Sequence, residues 1–98
     1  MSGLSDAIAG DARLEILREL CRQVDGRLSE PMIRRVLDAY GVRRDRDWIV
    51  TQLRKLEALS AIELTGKPVL VAHITRAGRD HVDERAIIEG VTRPSDID

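Results

Sequence analysis

The segment VRRDRDWIVTQLRKLEAL, residues 42–59, gathers Arg43, Arg44, Arg46, Arg54 and Lys55 around the single tryptophan, Trp48. Guanidinium and ammonium groups at that density are suited to anion recognition. They meet phosphate oxygens, Arg also forks onto the N7 and O6 edge of guanine, and a threonine such as Thr51 can contact a base edge or a thymine methyl. No comparable set exists for bond-making chemistry. Cys21 is the only cysteine, His73 and His81 fall in different predicted elements, and no glycine-rich phosphate loop or orienting group for a Cys–His pair is recognisable. The sequence predicts a non-enzymatic chain with no metal and no cofactor, in which Cys21 is a small core residue and His81, beside Asp80 and Asp83, is a surface group.

Charge is distributed unevenly behind a formal net value of -1. Residues 1–25 hold three basic and five acidic side chains, residues 26–79 hold eleven and six, and residues 80–98 hold two and six. A basic middle between acidic ends is the pattern of a polyanion-facing surface on a nearly neutral protein. The length of 98 residues suits one domain with one modest core, and 43% apolar with 34% charged residues is a soluble composition. No apolar run approaches a membrane span, and the start MSGLSDAIAGDARLEIL carries acids where a secretory signal would be basic. These features predict a cytoplasmic chain that does not enter a membrane, in keeping with its unpaired cysteine.

The elements that must position the cationic segment follow from periodicity. Leu14, Leu17, Cys21 and Val24 form an apolar stripe, with Ile8 and Leu20 beside it, which predicts a helix from about Ser5 to Val24 that Gly10 could interrupt. Asp25-Gly26 stops it. Ser29-Glu30-Pro31 supplies an N-cap and a first-turn proline for a second helix, whose Met32, Ile33, Val36, Leu37 and Tyr40 share a face before Gly41. Asp45 caps a third helix, about Arg46 to Leu59, with Ile49, Leu53 and Leu56 turned inward. The period then changes to two: Ala61 to Thr65, a Gly66-Lys67-Pro68 turn, and Val69 to Ile74 read as a hairpin. Thr75 caps a last helix, Arg76 to about Glu89, with Ala77, Val82, Ala86 and Ile87 or Ile88 available for burial.

The expected fold is therefore mainly α with a small β-hairpin, an α+β winged helix-turn-helix in the order helix, helix, helix, strand, strand, helix. A domain is expected over residues 1–90 and a flexible C-terminal tail over residues 91–98. On the residues LEILREL at 14–20, GVRRDRDWIVTQLRKLEALSAIEL at 41–64, LVAHITRAGRDHV at 70–82 and VTRPS at 91–95, the chain resembles winged-helix proteins. More narrowly, it is similar to the small arsenic-repressor-like winged-helix proteins of Mu-like bacteriophages and prophages. What the resemblance implies is a third helix presented to the DNA major groove and a wing near the backbone or minor groove.

The residues can be tested against that role. Stepping by 100° with Ile49, Leu53 and Leu56 inward puts Asp47, Thr51, Arg54 and Ala58 on the outward face, Trp48 and Lys55 on one flank and Val50 on the other. The candidate double-stranded DNA contacts are Arg43, Arg44, Arg46, Thr51, Arg54, Lys55 and, at the wing tip, Lys67. Asp47 opposes phosphate but could accept from a cytosine amino group. Trp48 is either a packing residue or an interface residue. The leading expectation is a phage or prophage regulator or DNA-associated accessory factor acting as a homodimer. Leu4, Ile8, Ile87, Ile88 and Val91 are available for the apolar contact. The alternative is a protein-interaction adaptor on the same scaffold, one used in phage assembly or packaging without touching DNA.

Overall fold

A computed structural model describes residues 3–97. In chain order the elements are α1 (Gly3–Arg22), β1 (Arg27–Ser29), α2 (Glu30–Ala39), α3 (Arg46–Ala58), β2 (Ile62–Thr65), β3 (Val71–Ile74), α4 (Arg76–Val82) and α5 (Pro94–Ile97). The strands form one antiparallel sheet in the order β1-β3-β2, with Leu28 and Leu64 both registered on Ala72. This is the α+β winged helix-turn-helix expected from the sequence. The caps are as the residue types require: Ser29, Asp45 and Thr75 accept from the backbone N–H groups of Met32, Trp48 and Gly78.

One core holds α3 in place. Leu14, Leu17 and Leu20 of α1, Ile33 and Leu37 of α2, and Ile49, Leu53 and Leu56 of α3 are all buried, with Ile62, Ala72 and Ile74 of the sheet closing the far side. Truncating any of these large side chains to alanine removes roughly 2–5 kcal/mol. The orientation of α3 is thus set by apolar packing, which leaves its opposite face free for polar work.

Several elements depart from expectation. α1 ends at Arg22, so Val24, expected on the apolar stripe, projects fully into solvent. Gly10 does not interrupt α1. It is buried where the C-terminal segment crosses, and a Cβ there would sit 2.9 Å from Thr92 Oγ1. β1 has only three residues, too few to show alternation, and it joins the sheet through Gly26, whose carbonyl accepts from Ile74 N–H (3.0 Å) while its φ is +68°. On α2, Met32 and Tyr40 are about half exposed although they share a side with buried Ile33 and Leu37.

The largest difference lies after α4. That helix stops at Val82 instead of running on to Glu89, because Glu84 adopts a left-handed φ of +58° and the chain doubles back. Ala77 and Ala86, expected inside, are exposed, and Ile87 is 49% exposed. Gly78 and His81 take their place. Gly78 lies so close to the Ala61 carbonyl that a Cβ there would collide with it. His81, expected on the surface, is completely buried. Its Nδ1 accepts from Ile88 N–H (3.0 Å) and its Nε2 faces the Thr92 carbonyl (2.9 Å), an arrangement that only the neutral Nε2–H tautomer satisfies at both ends.

Residues 91–97, expected as a loose tail, lie against α1. Val91 and Pro94 are buried, Thr92 N–H donates to the Gly10 carbonyl (3.3 Å), and Thr92 Oγ1 donates to Asp11 (2.7 Å). Met1, Ser2 and Asp98 lie outside the described residues. No described helix is long and apolar enough to cross a membrane.

Candidate nucleic-acid interface

α3 sorts its side chains as the 100° stepping requires. Ile49, Leu53 and Leu56 are buried, and Asp47, Thr51, Arg54 and Ala58 are exposed. Gln52, unremarked in the sequence, is buried as well, with its Oε1 accepting from Arg13 Nη1 (2.6 Å). The exposed face is preoriented. Thr51 Oγ1 donates to the Asp47 carbonyl (2.9 Å), so its hydroxyl proton is engaged by its own helix. Arg54 Nη1 donates to Glu57 (3.2 Å) one turn on.

The candidate cations do not form one patch. Arg46, Arg54 and Lys67 line an open groove of about 490 Å³ between α3 and the hairpin, together with Val50, Leu64 and Leu70. No acidic residue lines that groove. Arg46 is held at its edge by Glu30, whose nearly buried carboxylate accepts from Arg46 Nε at 3.1 Å. Glu30 is placed there by opening α2, where an acid also suits the positive end of the helix.

Arg43 and Arg44 line a second depression of about 320 Å³ at the turn between α2 and α3, with Arg34, Asp38 and Asp45. The Arg44 guanidinium lies 5.2 Å from the Trp48 ring centroid, a cation–π contact. Trp48 itself is half-buried against the core, so it packs on this monomer and anchors Arg44. Lys55 faces a third place altogether, on the flank of α3 opposite Val50, beside Arg13, Ala58 and Leu59.

The structure thus brings together Arg46, Arg54 and Lys67, pairs Arg43 with Arg44, and separates Lys55 from both. It adds Val50, which the helical stepping placed on a flank without a role, and Arg34, which the sequence did not single out. Val50 was legible as a flank position of α3. Arg34 shows no sequence signal of its own, since its role depends on how the α2–α3 turn folds. Among the described residues no group of three or more His, Cys, Asp or Glu side chains is arranged to hold a metal ion.

A three-helix core with a recognition-type third helix and a sheet wing beside it defines a winged-helix domain. Comparison with solved structures agrees. The complex structure of hsRosR-S4 superposes with a TM-score of 0.66 at 21% sequence identity, covering 83% of this chain and 73% of that one. The complex structure of hsRosR-S1 gives a TM-score of 0.64, also at 21% identity, over 74% of this chain and 65% of that one, so the match spans just under two thirds of that neighbour. At this identity the likeness shows the winged-helix fold. No family model matches the chain, and no curated protein is significantly similar to it.

Proposed function

We propose that the chain is a non-enzymatic, DNA-binding transcription regulator that lays α3 in the major groove of duplex DNA and sets the hairpin wing against the phosphate backbone. The observation that carries this reading is the groove between α3 and the wing, where Arg46, Arg54 and Lys67 converge with no acid among the lining residues. A strand of phosphates tracking between helix and wing would meet all three. Arg43 and Arg44 reach the flanking backbone beside the N-terminus of α3. Thr51 faces base edges, and Lys55 adds to the positive field from its flank. The winged-helix fold shared with the RosR structures is compatible with this reading. The resemblance to winged-helix proteins of Mu-like phages makes a phage or prophage operator the natural target.

The protein acts as a homodimer in this reading, since one α3 covers a single half-site and paired half-sites about one helical turn apart supply specificity. Leu4 is 75% exposed and Ile97 43% exposed, and both are available for the contact. Sedimentation at micromolar concentration should then report the mass of two chains.

The test of DNA binding is fluorescence anisotropy with a short random-sequence duplex, titrated from low to high salt. With Arg43, Arg44, Arg46, Arg54 and Lys67 each on one phosphate, the log–log salt slope is about -4 to -5. Replacing Arg54 and Lys67 with alanine lowers its magnitude by about two. Wild-type protein that binds no duplex even at low salt would refute the reading and leave the scaffold as a protein-interaction adaptor.

A further inference from the structure

Arg13 is the one Arg or Lys that is buried among the described residues, at 8% exposure. A buried guanidinium is normally matched by a carboxylate, because an unpaired charge in the interior is expensive. Here the partners are neutral oxygens. Nε donates to the Gly90 carbonyl (2.8 Å) and Nη1 to Gln52 Oε1 (2.6 Å), and among the described residues no carboxylate forms an ion pair with it. Its charge is correspondingly penalised: burial pulls the Arg13 pKa below the usual arginine value, and the field of Asp6 offsets this only in part. The Nη2 donors meet no protein acceptor among the described residues.

Arg13 also forms part of the wall of a pocket of about 310 Å³, at the lower end of the range for small-molecule sites. The remaining wall is Lys55, Ala58 and Leu59 from the end of α3, and Glu89 with Gly90 from the segment that doubles back after α4. Two cations, one of them buried and unmatched, face an apolar surface made by Ala58 and Leu59. Glu89 and the negative end of α3 oppose an anion there, which excludes a polyanion such as a nucleotide and favours a single charge on an apolar body. We propose that this pocket binds a small organic monocarboxylate, with its carboxylate between Arg13 and Lys55 and its apolar part on Ala58 and Leu59. The proposal is independent of DNA binding.

Benzoate is a suitable probe, benzamide its neutral counterpart, and amide NMR shifts of the full chain the readout. Benzoate should saturate shifts at Lys55, Leu59, Glu89 and Gly90 below roughly 10 mM. Benzamide should bind about tenfold more weakly or worse, since it forfeits the charge-assisted hydrogen bonds. Lys55→Met, at an exposed position that leaves the core untouched, should weaken benzoate by a similar factor, and Glu89→Gln should strengthen it. Arg13→Gln should abolish it where that variant folds. Equal binding of benzamide, an unaltered Lys55→Met titration, or benzoate shifts centred instead on Arg43 to Arg46 would each overturn the proposal.

Discussion

His81 gives the sharpest quantitative test of the fold. The ring is completely buried and bridges two backbone groups of the segment that returns over α1: Ile88 N–H at Nδ1 and the Thr92 carbonyl at Nε2. His81→Ala leaves both groups without a partner, at about 1–3 kcal/mol each, and removes a buried ring besides. The segment can limit this loss by undocking and hydrating its backbone, so the net destabilisation should be about 3 kcal/mol. For a domain of this size that is a fall in Tm of about 12–24 °C. The two bonds can be separated. Asn at position 81 places an oxygen near the Nδ1 position and keeps the Ile88 bond, whereas Gln places a donor near Nε2 and keeps the Thr92 bond, so His81→Asn and His81→Gln should each lose about half as much. Urea denaturation followed by circular dichroism measures the differences, and amide exchange at Ile88 and Thr92 should accelerate in step. If His81→Ala unfolds within about 0.5 kcal/mol of wild type, as an exposed position would, the clasp does not exist and the C-terminal segment is loose after all.

Other outcomes follow from single contacts. Burial holds the Cys21 thiol above its ordinary value of 9.0, against the opposing field of Arg79, so the folded state keeps its proton longer than the unfolded chain does. The Cys21 contribution to stability is therefore complete below pH 9.0 and declines as pH rises past it; Cys21→Ala should flatten that alkaline decline in a series of melting curves. Because the Thr51 O–H is donated to the Asp47 carbonyl, it has no hydroxyl proton left for a base, and its methyl is the group expected to read a thymine. On a sequence selected from random duplexes, Thr51→Val should preserve affinity and Thr51→Ser should lose about fourfold, the worth of one buried methyl. Uracil in place of the contacted thymine should produce the same loss in the wild type, and an unchanged affinity would remove Thr51 from the reading face.

The division between what was legible in the sequence and what was not follows the range of the interactions. α3 could be read because its signals are local: Asp45 caps it from the preceding residue, and Ile49, Leu53 and Leu56 recur at the helical period. The hairpin could be read for the same reason, from alternation over Ala61 to Thr65 before Gly66 and the β-branched run Val69 to Ile74 after it. β1 could not, since three residues carry no period and pairing with Val71 to His73 is a contact across more than forty positions. The end of α4 failed for a different reason. Ala86, Ile87 and Ile88 continue a plausible helical stripe, and what ends it is the left-handed turn at Glu84 that brings Ile88 and Thr92 back onto buried His81, which propensity does not encode. The candidate site divides along the same line. That Arg54 faces outward is a local fact; that Lys67 joins it across a groove while Lys55 does not is a tertiary one.

The two ion pairs at the groove are not equivalent, and the difference bears on how DNA would be held. Arg54–Glu57 is an exposed pair one helical turn apart, with side chains 57% and 39% exposed. Such pairs are worth at most about 1 kcal/mol, so a phosphate displaces Glu57 at little cost and Arg54 is in effect available. Arg46–Glu30 joins a half-exposed guanidinium to a carboxylate only 6% exposed. Separating them would strand a buried charge, so Arg46 stays where Glu30 puts it, with its remaining donors available to a phosphate. On the proposed reading, Arg54 is thus free to move onto its phosphate, whereas Arg46 meets one from a fixed position. Asp47, the apparent obstacle on the outward face, does not line the groove, and its carbonyl fixes Thr51. A net charge near zero is then compatible with a cationic groove, because Asp45 caps α3, Glu30 anchors Arg46, and no acid is among the groove's lining residues.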